Sequence, residues 1–246
     1  MLVCVDRRRG PPLVTAVVLL VAGGCGRPQP RKTSPPKPPQ TIVLWAWDRA
    51  EDLRFLKPGE AEVAALMETL YLRDGRAEPW FRRLPLVLPE GMKPIPVIRL
   101  ESDGSALPPA DSIGSFLWRW VDLKRIQIDF DARSSQREWY VELIRLTRRW
   151  KPHISITALA SWCLDKPWFA GVPDEAVPML FRMGPQRNAI LDRLHKQGQF
   201  AEGCRDALGI STDERLPWRP EAKKIYVFHP HPWTREAFDE ARARLR

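Results

Sequence analysis

Between Lys124 and Asp131 the chain alternates strictly: Ile126, Ile128 and Phe130 are apolar, while Gln127, Asp129 and Asp131 between them are polar or acidic. A period of two predicts a β-strand, here with one face against helices and the other carrying an amide and two carboxylates. Ser134 and Ser135 follow, and Glu138 stands three residues beyond Ser135. That spacing predicts a capping box and hence a helix after a short loop. Trp139, Leu143, Ile144, Thr147 and Trp150 recur at helical spacing and give that helix its inner face.

The pattern elsewhere predicts strands over Ile42–Trp47, Arg83–Leu88, Ile95–Glu101, Ile154–Leu159, Ala176–Phe181, Arg205–Ile210 and Lys224–Phe228. Helices are predicted over Glu60–Leu72, where Val63, Leu66, Met67 and Leu70 share a face, and over Ser112–Val121, Gln186–Lys196 and Thr234–Leu245. With the acidic strand there are eight strands, the second and third joined without a helix. The expectation is a single α/β domain, a (β/α)8 TIM-barrel-like fold that is small, at about 200 residues, and irregular. No glycine-rich loop follows a strand, which counts against a doubly wound dinucleotide fold, and no cofactor is expected.

The N-terminus has a different pattern. Arg7–Arg9 precede an apolar run from Leu13 to Val21, and Ala22-Gly23-Gly24 lead to Cys25. The run is too short to span a bilayer as a folded helix. Residues 1–24 resemble a bacterial lipoprotein signal, with cleavage before Cys25 and a lipid on its thiol; a plain secretory signal is the alternative. Gly26, where Asp would mark inner-membrane retention, points to the cell envelope's outer membrane, periplasmic side. Arg27–Gln40 holds six prolines and four basic residues and is expected to be an extended linker.

This division changes the reading of charge. The whole chain is +9; the signal accounts for two of those charges and the linker for four, leaving about +3 for Thr41–Arg246. A basic tether suits a lipid surface. The body lacks the cationic excess that nucleic-acid binding requires. Of four cysteines, Cys4 leaves with the signal and Cys25 takes lipid. Cys163 and Cys204 remain, either paired in an oxidising compartment or as two buried thiols.

In a barrel of this kind chemistry sits where strands end. Those ends are Trp47 and Asp48, Arg99 and Glu101, Asp129 and Asp131, Trp162, Arg182, Asp213 and Glu214, and His229 with Trp233. Asp129 and Asp131 lie about 6.5–7 Å apart along their strand, close enough for each to raise the other's pKa. One protonated and one ionised carboxylate is what glycoside hydrolysis uses. Neutralisation by Arg99 or Arg182 in an ion network without turnover is the competing reading. Eleven tryptophans supply flat faces for sugar rings, although Trp120, Trp139 and Trp150 fall on helix faces and are expected in the core. His229-Pro230-His231 has no third ligand nearby, so no metal is expected.

WAWDRAEDLRFL (Trp45–Leu56), IQIDFDARSSQREWY (Ile126–Tyr140), SITALASWC (Ser155–Cys163), VPMLFRMG (Val177–Gly184) and GISTDE (Gly209–Glu214) resemble a bacterial domain-of-unknown-function family, number 3142. That resemblance covers nearly all of the body and implies no particular activity. IQIDFD is also similar to the acidic barrel strand of family-18 chitinases, in which alternating acids end in a catalytic glutamate. Here Asp131 holds the terminal place, Asp129 the middle one, and Gln127 replaces the first acid. The functional expectation is an exported lipoprotein acting on an envelope glycan. Asp131 is its acid, Asp129 the partner, Glu101 or Glu214 an alternative second carboxylate, and Trp47 and Trp162 ring platforms. A non-catalytic glycan- or protein-binding lipoprotein is the alternative.

Overall fold

The computed structural model describes residues 40–120, 123–150 and 153–245. The expected export signal, Cys25 and nearly all of the expected linker lie outside the described residues. The described residues belong to one compact unit.

Eight parallel strands close into a barrel: β1 (Thr41–Ala46), β3 (Glu62–Arg73), β6 (Ile95–Ser102), β7 (Arg125–Asp129), β8 (His153–Leu159), β9 (Glu175–Met179), β10 (Ala207–Ser211) and β11 (Lys224–Phe228). Each pairs with the next, and β1 closes the ring by pairing with both β3 and β11. Strand β4 (Arg76–Phe81) folds back antiparallel on β3, outside the ring. Strands β2 (Glu51–Asp52) and β5 (Leu86–Val87) form a separate two-residue pair. Among the described residues, α-helices follow four barrel strands: α1 (Ala110–Trp118) after β6, α2 (Arg137–Arg148) after β7, α3 (Arg187–Gln197) after β9 and α4 (Arg235–Leu245) after β11.

Two cores result. Outward-facing side chains such as Leu44, Ile98, Ile126, Ile128 and Ile156 pack under the helices with Tyr140, Leu143 and Phe238. Inward-facing ones, among them Val43, Trp45, Leu66, Val97, Val177 and Tyr226, fill the lumen. The lumen is therefore packed rather than open. Trp45 crosses it, with its indole N–H donating to Gln127 Oε1 at 2.7 Å and its ring 5.1 Å from that of Tyr226. Gly209 makes room for it, because a Cβ there would lie 2.8 Å from the Trp45 ring.

Three expectations change. Glu60–Leu72 is not a helix; Glu62–Arg73 is the second barrel strand. A barrel strand is buried on both faces and reads as a continuous apolar run, which here mimics helical spacing. A register shift between Leu66 and Glu68 also breaks the period of two. Arg83–Leu88 is not a barrel strand and contributes only β5. The entry to α2 is tied by Gln136 rather than by Ser135 and Glu138: Gln136 Oε1 accepts from the Arg133 N–H at 2.9 Å, and its amide donates to Ser102 Oγ at 2.9 Å.

Cys163, in a 3₁₀ turn after β8 (Ala160–Cys163), and Cys204, beyond α3, form a disulfide with Cα atoms 5.9 Å apart.

Candidate active site

Strand β7 delivers its polar face to the barrel mouth. Gln127 is fully buried and donates to Ser155 Oγ at 3.1 Å. One step higher, Asp129 is 9% exposed and accepts a 2.6 Å hydrogen bond from Thr157 Oγ1. Asp131 stands at the solvent-exposed rim above it. Arg99, the register neighbour of Asp129 on β6, spans the acids: its Nε is 2.7 Å from Glu101 Oε1 and its Nη1 3.7 Å from Asp129 Oδ2. Its guanidinium lies 5.5 Å from the centre of the Trp47 ring.

Burial pushes the Asp129 carboxyl above the ordinary aspartate range. The Thr157 hydrogen bond and Arg99 oppose that shift, while Asp131 and Glu101 add to it. Asp131 is also raised, by the protein mass around the mouth, with Arg99 opposing. Two cavities meet at these acids. One of about 230 Å³ has Trp47, Met179, Phe181 and Phe228 as an apolar wall opposite Arg99 and the two aspartates. The other, of about 270 Å³, is polar and runs from Asp129 and Asp131 towards Glu101, Arg133 and Gln136. The mouth thus pairs aromatic faces with acids, a combination suited to a ring that has one apolar face and hydroxyl edges.

The other expected residues are distributed differently. Arg182 lines the aromatic cavity in a left-handed backbone conformation, φ 54°. Its N–H donates to Glu214 Oε1 at 2.9 Å and its guanidinium to Asp213 Oδ2 at 3.0 Å, so those two acids hold Arg182 and do not face Asp129. Glu214 borders a larger cavity of about 560 Å³ on the outer side of β10, beneath α4 and away from the mouth. His229 sits behind the rim, its Nδ1 2.6 Å from Thr212 Oγ1, with burial lowering its pKa. Asp48 is exposed and lies outside both mouth cavities.

Two tryptophans leave the site. Trp162 is buried on the helix side, 5.1 Å from the Trp168 ring and 6.3 Å from Phe169, because the chain turns outward after β8. Trp233 is 3% exposed; its backbone N–H donates to Glu51 and its indole to the Trp45 carbonyl. Neither offers a face to a ligand.

Thr157, Met179, Phe181 and Phe228 complete the mouth and were not among the expected residues. Thr157 carried a signal: His153, Ser155 and Thr157 alternate with Ile154 and Ile156, as the polar face of β7 does. Among the described residues, no group of three His, Cys, Asp or Glu side chains could hold a metal ion, and no helix is long and apolar enough to cross a membrane. No protein-family model matches the chain, and neither a curated protein nor a solved structure is similar enough to count as a match.

Proposed function

We propose that the protein is an exported, lipid-anchored barrel that hydrolyses or remodels a glycan of the cell envelope. The observation that carries this reading is the Asp129–Asp131 pair at the barrel mouth, both carboxyls raised, facing an aromatic wall. Asp131, at the accessible rim and with its pKa raised by burial, is the group placed to donate a proton to the glycosidic oxygen. Asp129, held by Thr157, supplies negative charge beneath the developing cationic sugar as the anomeric C–O bond breaks; water then adds to the anomeric carbon and its proton returns to Asp131. Glu101 is the alternative second carboxylate; Glu214 receives no role, because it is engaged by Arg182. Trp47, with Phe181 and Phe228, forms the ring platform.

The Cys163–Cys204 disulfide supports export, since such bonds persist in oxidising compartments. The sequence before Cys25 supports lipid attachment, and the basic linker supports a membrane surface.

A second reading, a non-catalytic glycan- or protein-binding lipoprotein, is favoured by Arg99, which joins Glu101 and approaches Asp129. A panel of purified envelope glycans separates the two. Product released by the wild type and lost in folded Asp131→Asn supports the enzyme. Retention of a glycan without product in either protein supports the binding module.

A further inference from the structure

The β3–β4 hairpin continues the inner wall of the barrel beyond the mouth. Residues that are register partners on adjacent strands point to the same side of a sheet. Trp80 pairs with Thr69, Thr69 with Arg99, and Arg99 with Asp129. These four therefore form one row across β4, β3, β6 and β7, on the face that carries the acids. The row above it contains Glu78, Tyr71 and Glu101. The opposite face confirms the orientation. Phe81, next to Trp80, pairs with Glu68 and lies 4.5 Å from the Arg119 guanidinium of the helix layer.

Trp80 is 45% exposed, high for an indole in a regular strand. Arg83 covers one side of the ring, with its guanidinium 4.2 Å from the ring centre. That contact fixes the ring as a flat platform while much of its surface stays open. Tyr71, in the row above, has Arg73 at 5.2 Å. Three strand spacings separate Trp80 from Asp129, a span of about 14 Å. This is the length of several linked pyranose rings, not of one.

We infer that the site binds an extended oligosaccharide, one end of which lies over Trp80 while the reacting linkage lies at Asp131. The inference rests on the glycan reading above and specifies its substrate as a polymer. Trp80 is a binding residue here, because it touches only a distant ring of the chain.

The test uses β-linked oligomers of glucose and of N-acetylglucosamine, from two to six units, with product release measured for each length. Wild type is expected to turn over the longest oligomers at least about tenfold more efficiently than the dimers, the free energy of one good stacking contact. Trp80→Ala should lower that long-to-short ratio about tenfold, Trp80→Phe should restore most of it, and Trp118→Ala, an exposed tryptophan on α1, should leave it unchanged. A ratio near one in wild type, or one that Trp80→Ala does not change, overturns the extended site and leaves the glycan reading standing. No product and no binding at any length overturns the glycan reading and this inference with it.

Discussion

Asp129 is a costly residue for this fold. Its carboxyl is almost fully buried, and a single hydroxyl and one arginine at 3.7 Å do not repay its lost hydration, so its pKa is raised. A carboxyl raised in the folded state keeps its proton there after the unfolded chain has lost it. Stability should therefore fall as pH climbs from the ordinary aspartate value, about 4, to the raised one, and stay lower above it. Asp129→Asn should flatten that fall and leave the protein at least as stable at neutral pH, as read from urea midpoints across this range. Equal destabilisation by the variant at every pH would mean that the carboxylate is there for the fold. A group that weakens the fold and sits in a cleft is where functional chemistry is expected. Residue by residue, the acids were legible because strict alternation shows which face each occupies. That Arg99 or Arg182 would neutralise these acids was legible too; that it is Arg99, and that it also holds Glu101, depends on strand pairing and was not.

At the scale of elements, the barrel is closed by connections that take the place of missing helices. Glu60, just before β3, is held by Arg235 at 2.6 Å and Arg242 at 3.2 Å, both on α4. Arg235 first, then the Lys57 N–H, hold the Glu60 carboxyl down at about 2. Its contribution is present above the ordinary glutamate value of 4.5 and is lost as pH falls through about 2. As a surface cluster it is worth about 1 kcal/mol. Glu60→Gln should lower the thermal midpoint at pH 7 by about 2–4 °C, and the difference from wild type should vanish near pH 2. A difference that persists at pH 2 would assign the effect to packing instead. Elements with one polar face, such as β7 and α2, could be read from the sequence. Strand β3 could not, since burial on both faces removes the alternation and the shift at Met67 moves what remains by one residue. Reading it as a helix also hid the hairpin. Asp74-Gly75, with φ of 45° and 73°, is an Asp-Gly turn that announces β4 only once a strand precedes it.

For the whole molecule, the disulfide links the segment after β8 to the one after α3, across 41 residues. A loop of that length is worth about 4 kcal/mol on chain-entropy grounds, a large part of the net stability of a domain this size. The bond would persist in an oxidising compartment, in keeping with the proposed export through residues 1–24 and cleavage before Cys25. The protein should fractionate with membranes and run as the oxidised form on a non-reducing gel, and Cys25→Ser should release it while leaving the disulfide intact. Reduced thiols in freshly isolated protein, or unchanged membrane association of the variant, would contradict export by this route. The eight-strand closed barrel was legible from the count and spacing of the elements. Seven of its strands were legible with it; the eighth, β3, was not, and Arg83–Leu88 was counted in its place because β3 reads as a helix.

The most direct measurement is product release from envelope glycans by wild type and Asp131→Asn, followed across pH. The wild type should release product, with an alkaline limb where Asp131 loses its proton. The variant should lose at least about a hundredfold in rate, the scale of a removed general acid, while keeping the wild-type unfolding midpoint. Full activity in Asp131→Asn on a glycan that the wild type cleaves would contradict the assignment of Asp131 as the acid.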